Sequence, residues 1–183
     1  MKNALVVLKK GGVILYPTDT IWGIGCDATN TKAVERIYEI KKREDSKSML
    51  MLVDESWRVS DYVKEVPEIA LQLMEVSDTP LTIIYSGAKG ISPKLMSEDG
   101  SAGIRVSSDE FCRKLIGNLN RPIVSTSANI SGSPSPQNFS EISEEIIKSV
   151  DYVVSWRQEE KGKSKPSSII KIGSRGEIEI IRK

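Results

Sequence analysis

Apolar positions along this chain recur in two rhythms, every three to four residues in some stretches and in short continuous runs in others. Ala4 to Lys10 reads as a short helix stopped by Gly11-Gly12, and Val13-Ile14-Leu15-Tyr16 as a strand ended by Pro17. Asn30 or Thr31 is placed to cap a helix to about Lys41, because Ala33, Val34, Ile37 and Ile40 share one face. Residues 48–53 read as a buried strand. Pro67 suits the first turn of a helix through Val76, with Ile69, Ala70, Leu73 and Met74 inward. Residues 81–85 predict a strand, 86–100 a loop rich in Gly, Pro and Ser, and 102–106 another strand. Ser108 is a candidate cap for a helix carrying Phe111, Cys112, Leu115 and Ile116 and ending at Gly117. A strand at 122–125 opens into a long polar loop, and Ser140 is expected to cap a helix with Ile142, Ile146 and Ile147.

Residues 152–154 and 168–172 complete the set of strands, and Gly173-Ser174-Arg175-Gly176 between Ile172 and Ile178 signals a terminal hairpin. Strands alternating with helices and closing in a hairpin imply an α/β fold: a mixed twisted sheet flanked by helices. The 183 residues suit one domain spanning 1–183, and no second domain is expected.

Composition narrows the chemistry more than the fold. Cys26 and Cys112 stand far apart, which argues against a disulfide framework or a cysteine zinc site. The first ten residues hold an apolar run too short for a signal peptide, and no segment is long enough to span a bilayer, so a cytoplasmic protein is expected. A net charge of +1 argues against a chain-wide basic surface for nucleic acid. The chain has no histidine at all, which removes histidine triads, imidazole acid-base catalysis and histidine-ligated metals together. Any reaction must therefore run on lysine, arginine, carboxylates, hydroxyls, backbone donors or a metal brought by a substrate.

Three segments concentrate such groups. Ser125 to Phe139, Ser-Thr-Ser-Ala-Asn-Ile-Ser-Gly-Ser-Pro-Ser-Pro-Gln-Asn-Phe, offers a wall of hydroxyls and amides suited to an anion, and reads equally as an ordinary polar turn. Tyr16-Pro17-Thr18-Asp19-Thr20 brings hydroxyls and a carboxylate to a strand end, where α/β proteins tend to bind ligands. Lys41-Lys42-Arg43 with Lys47 is either a solvated helix end or a cation cluster for polyphosphate. Two nucleotide signatures fail: Gly162-Lys163-Ser164 lacks the first glycine of a phosphate loop, and Pro17 interrupts the approach to Gly23-x-Gly25-x-x-Ala28.

Taken in order, Tyr-Pro-Thr-Asp-Thr with Gly-x-Gly, Lys41-x-Arg43, Ser127-x-Asn129 with Ser-Gly, and a late Pro-Ser-Ser-Ile-Ile closely resemble the YrdC-like family of threonylcarbamoyl-AMP synthases. The resemblance runs from about Val13 to Arg182. It implies a YrdC-like fold in its short, single-domain form, without the extra C-terminal domain of longer members. It implies a nucleotidyltransferase that joins L-threonine and bicarbonate with ATP into L-threonylcarbamoyladenylate and pyrophosphate, the Mg²⁺ carried by the ATP phosphates and no metal held by the protein. A transferase complex would then use the product for the t6A base at adenosine 37 of tRNA. The resemblance gives Lys41, Arg43, Ser127 and Asn129 catalytic roles. It gives Arg43, Lys47, Ser101, Ser127, Asn129, Ser135 and Arg182 to the nucleotide, and Thr20, Arg105, Ser125 and Ser167 to L-threonine. Two departures bear on the amino-acid pocket: Val76-Ser77-Asp78-Thr79 replaces a common Trp-Pro-Gly-Pro, and Leu52 lies near a place where histidine is frequent. A weak RNA-binding module of the same fold, or a paralogue acting on another carbamate, are the alternative readings.

Overall fold

In the computed structural model, residues 1–42, 49–162, 165–173 and 175–183 are described. The strands are β1 (Ile14–Tyr16), β2 (Gly23–Gly25), β3 (Leu50–Val53), β4 (Leu81–Tyr85), β5 (Ala102–Val106), β6 (Ile123–Ser127), β7 (Tyr152–Val153), β8 (Ser168–Ile172) and β9 (Ile178–Arg182). The helices are α1 (Lys2–Lys9), α2 (Thr31–Lys41), α3 (Val59–Tyr62), α4 (Glu68–Val76), α5 (Glu110–Leu119) and α6 (Glu144–Ser149), with short 3-10 turns between them. All nine strands join one mixed sheet in the order β7-β1-β2-β6-β3-β5-β4-β8-β9, with β8 and β9 the expected antiparallel hairpin.

Side chains of successive strand residues alternate between faces, and the two faces meet different fates. Leu15, Ile24, Met51, Ile83, Ile104, Val124 and Ile172 point one way and pack under α2, α4 and α6 through Val34, Ile37, Ala70 and Ile146. On the opposite face Ile14, Tyr16, Leu52 and Ile123 pack under α1 and α5 through Ala4, Leu8, Cys112, Leu115 and Ile116. Those two helices cover only part of that face.

Several boundaries differ from the sequence reading, each for a local reason. The cap of α5 is Asp109, whose Oδ1 accepts from the Cys112 amide at 2.8 Å, rather than Ser108. The helix also continues past Gly117 to Leu119 and stops at Asn120, with φ 57°. Ser143, not Ser140, caps α6 by accepting from the Ile146 amide, which leaves Ile142 ahead of the helix. Asn30 caps α2 as expected, accepting from the Ala33 amide at 3.2 Å. Strand β6 runs two residues beyond its expected end, so Ser127 belongs to the sheet and the loop begins after it. Of the expected strand at 48–53, Ser48 lies outside the described residues and β3 begins at Leu50.

The strand β2 is absent from the sequence reading, because two glycines in three residues weaken any strand signal. Its place in the sheet explains them. A Cβ on Gly25 would collide with the Val124 carbonyl oxygen and come within 2.6 Å of the Tyr16 ring, so the strand fits between β1 and β6 only without a side chain there. Gly25→Ala is therefore expected to destabilise the fold by about 2 kcal/mol or more, since backbone must shift to admit the methyl group. Chemical denaturation measures this, and an unchanged midpoint would contradict the packing described.

Candidate active site

The uncovered part of the second sheet face forms the floor of a cavity of about 230 Å³. Leu50, Thr82, Ile84, Gly103, Arg105, Ser125, Ser127 and Ile169 line it, each on the cavity-facing phase of its strand. Thr20, Ser135, Ser167 and Arg182 close its sides. Seven residues singled out from the sequence thus line one cavity: Thr20, Arg105, Ser125, Ser127, Ser135, Ser167 and Arg182.

Gly103 opens the middle of this floor. Its register partner on β4 is Ile84, and a Cβ added there would touch Leu50 and Thr82 at 3.4 and 3.5 Å. Thr82 is a cavity residue that the sequence reading missed, although it stands directly opposite Arg105 in the sheet. Its hydroxyl and that of Ser167 are 2.8 Å apart, both buried. The signal available was the alternation along Leu81-Thr82-Ile83-Ile84, in which the polar residue marks the open face.

Two guanidinium groups converge here. Arg105 is buried, donates from Nη2 to Asp19 Oδ1 at 2.9 Å, and its own buried Nε has no hydrogen-bond partner. Asp19 also accepts from the Ser108 amide at 3.3 Å. Arg182 donates from Nε and Nη2 to the Ser167 carbonyl at 2.9 and 2.7 Å. Partial desolvation, with the Arg105 charge adding to it, holds the Arg182 guanidinium below its ordinary pKa. A carboxylate, Asp19, answers only one of these two cations, so the cavity favours a further negative charge.

Arg182 reaches the cavity through a break in register. Ile172, Lys171 and Ile170 pair with Ile178, Glu179 and Ile180, but Ile169 pairs with Arg182, leaving Ile181 as an extra residue. In a regular strand Arg182 would lie on the same face as Ile178 and Ile180, away from the cavity; the bulge turns it over.

Lys41 stands at the end of α2 beside the loop that follows β6. Its ammonium group is buried and donates to the carbonyls of Ser127 and Asn129 at 2.5 and 2.7 Å and to Asn129 Oδ1 at 3.3 Å. Its own carbonyl accepts from the Ser131 amide at 2.9 Å. Asn129 Nδ2 in turn donates to the Ser133 carbonyl at 2.6 Å. The lysine and the asparagine therefore brace the loop from Ser127 to Ser133. Arg43 and Lys47 lie outside the described residues. Ser101 does not line the cavity: it sits just before β5, where its hydroxyl donates to Asp99 at 2.6 Å. The Lys171 ammonium and the Ser101 hydroxyl and amide bring Asp99 down to about 2.

Around the aromatic corner behind the cavity, Tyr16 donates to the Val124 carbonyl at 3.0 Å, and burial pushes its phenol pKa well up, so it serves as a neutral donor. The glycines Gly23 and Gly25 form an antiparallel strand rather than a turn opening a helix, which disposes of the loose dinucleotide fingerprint. Among the described residues no helix is long and apolar enough to cross a membrane.

A family model for the Sua5, YciO and YrdC proteins, described as "Telomere recombination", matches residues 6–183. The chain belongs to this family. A Methanocaldococcus jannaschii protein, provisionally named a threonylcarbamoyl-AMP synthase, is 38% identical over 93% of this chain and 81% of its own length. The threonylcarbamoyl-AMP synthase of Vibrio campbellii is 30% identical over 92% of this chain and 94% of its own. Among solved structures, P. abyssi Sua5 complexed with L-threonine matches with a TM-score of 0.83 and 26% identity over 93% of this chain. The chain spans about half the length of that P. abyssi protein, with 50% of it covered.

In this Sua5/YciO/YrdC chain the bracing lysine is open to test. Lys41→Met keeps much of the apolar stem but strips the loop carbonyls of their donor. It is expected to cost about 1–3 kcal/mol of stability, the penalty for buried acceptors left unpaired. Hydrogen exchange at the Ser131 amide should quicken in the same variant. Exchange and stability both equal to the parent protein would mean that the ammonium does not hold the loop.

Proposed function

We propose that this YrdC-like chain is an L-threonylcarbamoyladenylate synthase, acting in the cytoplasm as one catalytic unit over residues 1–183. The observation that carries the reading is the cavity itself: two arginines, one of them buried and paired with a carboxylate, beside the hydroxyls of Thr82, Ser125 and Ser127 on the open part of the sheet. The names of the relatives support it, and so does the likeness to P. abyssi Sua5, whose structure holds L-threonine.

In this reading Arg105 pairs with the amino-acid carboxylate. Its unpartnered Nε is a donor in want of an acceptor, the condition in which an added anion gains most. Thr20, Ser125 and Ser167 would hold the rest of L-threonine. Ser127, Ser135 and Arg182 would contact ATP, with Asn129 and Lys41 keeping their loop in place and Arg43 and Lys47 completing the phosphate side; Ser101, bonded to Asp99 outside the cavity, takes no part in this reading. The amine of threonine and bicarbonate give a carbamate with loss of water. One carbamate oxygen then attacks the α-phosphorus, a new P–O bond forms, and the bond to the leaving pyrophosphate breaks. The attacking oxygen is already anionic, so no histidine base is needed, and positioning with charge neutralisation does the work. Mg²⁺ would arrive on the nucleotide phosphates and offset the charge of the leaving group. The adenylate would pass to a tRNA threonylcarbamoyl transferase complex for t6A formation.

Leu52 favours a second reading of the amino-acid specificity. It lies on the same sheet face as Leu50 and is fully buried in the apolar cluster with Tyr16 and Cys112. Leu52 is a core residue outside the cavity lining, and its standing near a place where the family resemblance has histidine is what motivates a paralogue that takes another amino acid.

The assay supplies L-threonine, bicarbonate and Mg-ATP and follows pyrophosphate and the adenylate. Threonine-dependent release is expected, and its absence from folded protein would overturn the proposal; faster release with another amino acid would select the second reading. In Arg105→Lys the KM for the amino acid is expected to rise by ~10–100-fold, because a point charge replaces a planar fork, while the KM for ATP stays within twofold. An amino-acid KM equal in parent and variant would remove Arg105 from the carboxylate.

A further inference from the structure

Arg157 is an arginine outside the cavity that holds a left-handed backbone conformation, φ 64°. Residues with a Cβ hold that conformation uncommonly and at some cost, which local contacts can offset. The surroundings here are specific. Its Nη1 donates to the Thr18 carbonyl at 3.1 Å and to Asp109 Oδ2 at 3.1 Å, and its Nε to Glu160 at 2.8 Å. The side chain is only 26% exposed. Asp109 is itself fixed as the cap of α5, so the single Nη1 nitrogen ties that helix cap to the β1–β2 loop, while Nε is held by Glu160.

That loop carries Thr20, whose hydroxyl lies at the end of the cavity that the proposed function gives to L-threonine. Thr18 Oγ1 lies 3.0 Å from Thr20 Oγ1, accepts from the Thr20 amide at 3.0 Å, and donates to the Ile21 carbonyl at 2.8 Å. The preceding carbonyl, of Pro17, accepts from Cys112 Sγ of α5 at 3.3 Å. Two successive carbonyls are thus held from outside, and the hydroxyl between them sets the position of Thr20. Behind Thr20, between it and Arg157, remains a polar hole of about 30 Å³, room for about one water. The clamp therefore stands one small hole away from the cavity wall.

We propose that Arg157 is a positioning residue for the amino-acid end of the site, acting through Thr18 on Thr20 and not through the nucleotide. The proposal rests on the synthase reading for its kinetic arm only. Arg157→Ala should raise the KM for L-threonine on the order of tenfold, as expected for a displaced binding group, with the KM for ATP within twofold. Arg157→Lys keeps one donor to Thr18 and should fall between. Arg157→Gly relieves the backbone conformation but loses the clamp, so it should show the same threonine defect as Arg157→Ala with a melting temperature no lower than that of Arg157→Ala. Equal rises in both KM values, or a threonine KM within twofold of the parent in folded Arg157→Ala, would overturn the proposal.

A second measurement stands apart from activity. Hydrogen exchange at the Thr20 amide should quicken several-fold in Arg157→Ala while exchange at the Ser131 amide does not change. If the parent protein releases no pyrophosphate with threonine, the synthase reading fails, and the clamp is judged by this exchange alone. Unchanged exchange at Thr20 would dismiss it.

Discussion

A nine-stranded sheet has two faces to remove from water, and this chain has helices enough for one of them and part of the other. On the first, α2, α4 and α6 bury a continuous apolar cluster. On the second, α1 and α5 stop short, and the exposed part carries polar groups set among the apolar Leu50, Ile84 and Ile169. Alternation along each strand makes this possible without disturbing the core: Thr82, Arg105, Ser125 and Ser127 face the opening while Ile83, Ile104 and Val124 face the helices. The site is the unroofed remainder of the sheet.

Such a floor would be of little use if its polar groups were free to move, and much of the local hydrogen bonding holds them. Asp19 fixes Arg105, Ser167 engages both Thr82 and Arg182, and Lys41 ties the loop after β6 to α2. These contacts are buried or partly buried, where the reduced screening that strengthens each bond also makes an unpaired group costly. The same need for fixed polar groups explains why a bulge is kept at Ile181: one extra residue turns Arg182 from the helix side to the cavity side.

The family resemblance and the geometry meet in the cavity but do not coincide everywhere. Seven expected residues line one cavity, and Ser101 stands apart from it, bonded to Asp99. Lys41 is used inside the protein, on carbonyl oxygens, so its charge organises the loop from within. Thr82 enters the wall unannounced. A motif ranks residues by type and order, whereas membership of a wall depends on which strand faces are left open.

Much of the fold was legible in the chain. Helix α2 with its Asn30 cap, the strands from β3 to β6 and the terminal hairpin follow from periodicity and turn chemistry, which are local properties. The caps of α5 and α6 were each misplaced because serines stand near the true caps and sequence does not say which side chain meets an orphan amide. What the sequence determined by itself was the set of chemically competent groups: no histidine, two arginines in context, and hydroxyls clustered at the ends of β1 and β6. Only the tertiary structure decided which of them converge. That β2 exists, that Arg182 is turned inward and that Arg157 grips Thr18 are outcomes of pairing between segments distant in the chain, where a one-residue change in register reverses every side chain.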